Sequence, residues 1–159
     1  MRVRAENTSG IYITKKKSFS HQNTPSELNT PGSRIRAARN EANLSIREIA
    51  ALSGLTPEAI SMMENGVHPP SLKSLRKISN CLNQPIYYLG CFEALPELTL
   101  GDRLKKARLF YGLTKEEAAQ KLGVDAKSVM NWEANKVNPS KNHLSDIGHF
   151  VRIIEILNL

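Results

Sequence analysis

Apolar residues recur along the chain at helical intervals. Ile46, Ile49, Ala50 and Ser53 stand at i, i+3, i+4 and i+7, one face of a short helix. Lys115, Ala118, Ala119 and Leu122 repeat the same spacing in the second half of the chain. The segment that follows each supplies a second apolar pair, Ile60 with Met63 and Val129 with Trp132. Alanine at 50 and 119 suits two helices that cross after a tight turn, where a larger side chain would force them apart. Each pattern therefore predicts two short helices packed on a shared core, with the opposite face of the second helix free to project outward.

The polar residues between these stripes read as helix punctuation. Ser45-x-x-Glu48 and Thr114-x-x-Glu117 are capping boxes for the first helix of each pair. Gly54 and Gly123 end that helix, because a left-handed residue costs glycine no Cβ clash. Thr56 before Pro57 and Asp125 before Ala126 cap the next helix, which Asn65-Gly66 and Asn135 close. An earlier helix begins after Thr30 or Thr99, and a later one after Ser71 or Ser140. In the first half Asn83-Gln84-Pro85 breaks this later helix before a short last one, Ile86–Gly90. In the second half Ile154 stands where Pro85 would be, so the helix is free to run on.

Laying 30–90 over 99–159 pairs every position without a gap. Fourteen of those 61 pairs are identical, against about four by chance, so the chain is a duplication. The identities include Gly32/Gly101, Arg34/Arg103, Ala38/Ala107, Arg39/Arg108, Glu64/Glu133 and Ile78/Ile147. The organisation expected is a flexible basic tail (1–29), a first unit (30–90), a linker (91–100) and a second unit (101–159). The tail carries Arg2, Arg4 and Lys15-Lys16-Lys17 against Glu6 and Glu27. A weak hairpin sketched by Val3, Ala5, Ile11 and Ile13 would be marginal alone, and a DNA-contacting arm is the alternative reading of this tail. Fully extended, the ten-residue linker reaches roughly 33–36 Å.

Net charge of +7, from 22 Lys+Arg against 15 Asp+Glu, favours a polyanionic partner without proving one. No apolar run approaches the roughly 18 residues of a membrane span, and no apolar stretch follows the first residues as in a secretory signal. Cys81 and Cys91 are too few for a disulfide framework or a four-thiolate zinc site, and the four histidines lack metal spacing with them. A buried thiol and a linker thiol are expected, in a reducing cytoplasm. Catalytic motifs and paired carboxylates in a pocket are missing from the sequence, so neither an enzyme nor a cofactor is expected.

The motifs RIRxAR…LSIREIA…SGLT…IS…ENG…PSL and RLKKAR…LTKEEAA…LGVD…V…WE…PS resemble the phage-repressor/Cro (XRE-type) helix-turn-helix family. The resemblance covers nearly all of residues 30–159, twice. It implies an all-α protein of two tandem lambda-repressor-like five-helix domains. In each, the third helix would enter the major groove of double-stranded DNA while the second crosses the backbone. It also implies ion pairs Arg39–Glu64 and Arg108–Glu133 that hold the reading helix to helix one, and a cytoplasmic, nucleoid-associated transcription regulator.

In the second unit Lys127, Asn131 and Asn135 follow at i, i+4 and i+8, with Ser128 beside them. Lysine suits guanine O6/N7 and asparagine suits adenine N6/N7. Lys115 and Lys136 are placed for phosphates. In the first unit the positions matching Lys127 and Asn131 are Glu58 and Met62. Glutamate repels phosphate, although it accepts a bond from cytosine N4. Arg47, Ser61, Asn65 and His68 remain as DNA candidates there, and Met62 beside Met63 suits a protein contact at least as well. The rival expectation is therefore a protein-interaction adaptor or antitoxin-like partner that docks through the first unit. The second unit is therefore expected to be the main reader. The apolar C-terminal residues, Phe150 to Leu159, either complete the second core, form a homodimer interface, or do both.

Overall fold

The computed structural model describes residues 29–157, in which all regular structure is helical. The first unit comprises α1 (Pro31–Glu41), α2 (Ile46–Ser53), α3 (Pro57–Glu64), α4 (Leu72–Leu82) and α5 (Ile86–Leu89). A 3-10 turn, Phe92–Ala94, leads into α6 (Leu100–Phe110), α7 (Lys115–Leu122), α8 (Ala126–Glu133) and α9 (Lys141–Leu157). The N-terminal tail, with the arm and hairpin readings placed on it, lies outside the described residues.

The capping signals act where the sequence places them. Ser45 Oγ accepts from the Glu48 N–H at 3.2 Å while Glu48 accepts from the Ser45 N–H at 2.7 Å. Thr114 and Glu117 repeat both distances. Thr56 and Asp125 cap α3 and α8 at 3.1 and 2.8 Å. Gly54 and Gly123 sit at φ 61° and 66°, where a side chain would be strained. Gly32 and Gly101 are identical for another reason. A Cβ on Gly32 would collide with the Met63 carbonyl oxygen, and one on Gly101 with that of Trp132. Helix one of each unit can approach the end of helix three only because glycine stands at the crossing.

Two cores result. Ile35, Ile49, Ile60, Leu75, Ile78 and Leu89 anchor the first, and Leu104, Val129, Trp132, Ile147, Phe150 and Ile154 the second. The units differ at their ends. Asn83 at φ 50° and Pro85 separate α4 from α5, since proline blocks helix continuation. Without that break, helices four and five of the second unit are the single 17-residue α9.

The linker is not an extended tether. Lys106, only 3 % exposed, reaches back from α6 and donates to the carbonyls of Glu93 (2.7 Å) and Leu95 (3.3 Å) and to the Glu97 carboxylate. The linker's full extended reach is therefore never used. Beyond the linker, α4 and α5 meet the α6–α7 corner through Arg76, Ile86 and Tyr87.

Candidate nucleic-acid interface

The same three-bond clamp holds the third helix of each unit. Arg39 donates to Glu64 through Nε (2.6 Å) and Nη2 (2.9 Å), and through Nη1 to the Leu44 carbonyl (2.7 Å). Arg108 does the same to Glu133 (2.5 and 3.0 Å) and to the Leu113 carbonyl (2.8 Å). One guanidinium thus joins helix one, the loop before helix two and the end of helix three, a planar fork matched to a carboxylate. The Glu64 bond holds the Arg39 pKa above its ordinary value. Arg36 adds a further contact to Glu64 (3.4 Å), to its carbonyl (3.1 Å) and to the Asn65 side chain. Its counterpart, Lys105, is exposed and makes no ion pair among the described residues.

On the outer surface of α8, Lys127 is exposed and Asn131 is half-buried one turn on. The nearby acids are all engaged. The Glu116 pKa is lowered by its own backbone N–H and then by Thr114. Arg76 and the Thr114 N–H hold Glu117 down to about 2. Asp125 is held low by the Ser128 hydroxyl and N–H, and Glu133 faces Arg108. Lys115, Lys127 and Lys136 make no ion pair within 4 Å among the described residues, although Lys115 helps to lower the Glu116 pKa.

A family model described as Helix-turn-helix matches this chain twice, at residues 35–89 and 104–151, together more than half of it. The chain belongs to the phage-repressor/Cro-type helix-turn-helix family. It is accordingly a DNA-binding protein of the transcription-regulator type. Comparisons with curated proteins and with solved structures returned no match.

Within each helix-turn-helix the candidate contacts separate into distinct groups. Lys127 and Asn131 share one face of α8, and Met130 between them is exposed, an apolar tip suited to a thymine methyl. Sequence reasoning misses Met130 because it weighs only polar and charged side chains of α8 as readers, although its counterpart Ser61 is a candidate in the first unit. Ser128 spends its hydroxyl proton on Asp125 at 2.8 Å, which leaves it able only to accept. Asn135 lies past the end of α8 at φ 53°, its side chain turned against the start of α6. It therefore leaves the Lys127–Asn131 stripe that its i+8 spacing suggested. Lys115 opens α7 and Lys136 follows α8, both outside the reading stripe.

The first helix-turn-helix presents a different surface. Ile46, Arg47, Pro57, Glu58, Ser61 and Met62 line a shallow open hollow of about 450 Å³, with Leu52 and Val67 exposed elsewhere on the same unit. Asn65 accepts from Arg36 and donates to Ser61 Oγ at 3.3 Å, which leaves the Ser61 hydroxyl proton free. Arg47 and His68 remain exposed. Among the described residues no group of three His, Cys, Asp or Glu is placed to hold a metal ion, and no helix is long and apolar enough to cross a membrane.

Proposed function

We propose that the protein is a sequence-specific, repressor-like regulator that binds double-stranded DNA in the cytoplasm, on the nucleoid, with the second helix-turn-helix as its main reader. The carrying observation is the Lys127–Met130–Asn131 face of α8, whose neighbouring acids are each engaged by another group. Lys115 and Lys136 neutralise phosphates and fix the register, while Lys127 and Asn131 read base edges. Gel shifts of the full chain on duplex DNA across a salt series test this. Counterion release predicts that log affinity falls steeply and linearly with log salt. A slope near zero would sink the reading.

Two finer features belong to this reading. The hollow of the first unit, rimmed by Met62, supports a protein partner at that surface as the rival role. A homodimer through α9 has a narrow basis, because Phe150, Val151 and Ile154 are buried in the second core and only Leu144 and Ile156 remain as large exposed apolar side chains on that helix. Deleting the helix end would destroy the core, so the discriminating variant is Leu144→Lys with Ile156→Lys. Light scattering of that folded variant should give half the mass of the parent; an equal mass removes the interface.

A further inference from the structure

The contact between the two helix-turn-helix units joins one shared residue, Glu117, to residues that the duplication does not share. Arg76 on α4 donates through Nε to the Gly112 carbonyl and forks onto the Glu117 carboxylate, one arm at 3.0 Å. Glu117 is also the capping residue of α7, so a cation of the first unit grips the opening turn of the second unit's helix two. Tyr87 packs on Phe110 with ring centroids 5.0 Å apart. Phe110 is 5 % exposed yet belongs to neither core; the joint itself buries it. An Ile86 methyl lies 3.0 Å from where a Gly112 Cβ would be. Lys106 also sits over the Phe110 ring at 5.6 Å and straps the linker. Covalent connection alone leaves two domains free to rotate. Here the linker strap and the Arg76 fork grip different elements, and each restrains that rotation.

The positions matching Arg76, Tyr87, Phe110 and Gly112 are Ser145, Ile156, Glu41 and Asn43. The grip is therefore specific to this one joint. Resting on the DNA-binding reading above, we infer that this joint fixes the separation and orientation of the two units on DNA, with Arg76 as its positioning residue. The chain then takes a bipartite duplex site of a single spacing, in which the first unit contacts the second sub-site through Arg47 and His68.

Selection from a pool of random-sequence duplexes of about 60 base pairs, using the full chain, tests the inference; two such sub-sites lie about one helical turn or a multiple apart. The wild type should enrich two sub-motifs at one spacing. The variant Arg76→Ser with Tyr87→Ile, which carries the residues of the second unit at both positions, should enrich the same sub-motifs over several spacings. A purely structural role would weaken all sites equally and leave the spacing unchanged. Retention of the single spacing by the variant, or a scattered spacing in the wild type, overturns the inference. One sub-motif alone overturns it while leaving the second unit as reader. No enrichment at all removes the DNA reading and the inference together. Independently of how the variant folds, spin labels on Glu58→Cys and Lys127→Cys, with Cys81→Ser and Cys91→Ser, should give one narrow distance distribution in the DNA-free chain. A broad one contradicts the joint.

Discussion

The two helix-turn-helix units share their skeleton and differ in what that skeleton carries. Arg39–Glu64 and Arg108–Glu133 make the same three hydrogen bonds, and the caps and crossing glycines coincide. The outward surfaces diverge, with Lys127 and Asn131 on one and Glu58 and Met62 on the other. Duplication has preserved the Arg–Glu clamp, the caps and the crossing glycines, and has changed the exposed face of helix three. The difference teaches that the clamp defines the architecture, whereas the exposed face of helix three is where the two units diverge.

The largest expected effect breaks the architecture. Glu133→Ala leaves Arg108, a side chain 7 % exposed, without its carboxylate, and such a loss costs about 3–5 kcal/mol. Urea denaturation should show it directly. Removing the arginine sharpens the comparison: Arg39→Ala should cost less than Arg108→Ala, because Arg36 still faces Glu64 and Lys105 has no such role. Equal losses in the two units would show that Arg36 contributes nothing.

A smaller effect belongs to the joint. Gly112 adopts φ 67°, and Asn43 at the matching position adopts φ 55°, so Gly112→Asn keeps a tolerated backbone and introduces mainly the contact with Ile86. We expect a loss of about 1–3 kcal/mol, seen as a lowered midpoint of thermal unfolding, whereas Asn43→Gly should change stability far less. Comparable shifts would mean that Ile86 yields freely. The smallest effect is that of pH. The Glu117 pKa falls from 4.5 to about 2 in the folded chain. A depressed carboxylate contributes stability that is fully present above the unfolded value and lost as pH falls through the folded one. Acid titration from pH 4.5 down to about 2 should therefore cost the wild type more than Arg76→Met, which lacks the fork; parallel curves would contradict that.

Most of the fold was legible because caps, glycines and apolar spacing act locally. Ser45-x-x-Glu48 and Thr114-x-x-Glu117 carry their structural meaning within a single turn, and the resemblance supplied the Arg–Glu pairs that join helix one to helix three. The joint was not legible. Nothing around Arg76 marks it as the partner of Glu117, which lies on a helix of the other unit, and the capping role already accounted for that glutamate. Asn135 misleads because a helical period does not carry past the end of α8, where the backbone turns left-handed. Ser128 and Asn65 fit the readout pattern by type, but local bonds to Asp125 and Arg36 occupy them. Arg76, Tyr87, Phe110 and Gly112 do differ from their counterparts in the repeat, but so do most of the 61 pairs, and the difference alone does not mark a contact.

The most direct test of the central claim compares the two reading faces on one selected duplex. Affinities of the full chain carrying Lys127→Ala with Asn131→Ala, or Glu58→Ala with Met62→Ala, would be measured by gel shift at fixed salt. Loss of two base-edge contacts of about 1–3 kcal/mol each predicts that the first pair abolishes discrimination against a scrambled duplex, with the second pair reducing affinity less than about tenfold. Equal losses, or a larger loss from the Glu58 and Met62 pair, would contradict the assignment of α8 as the reader.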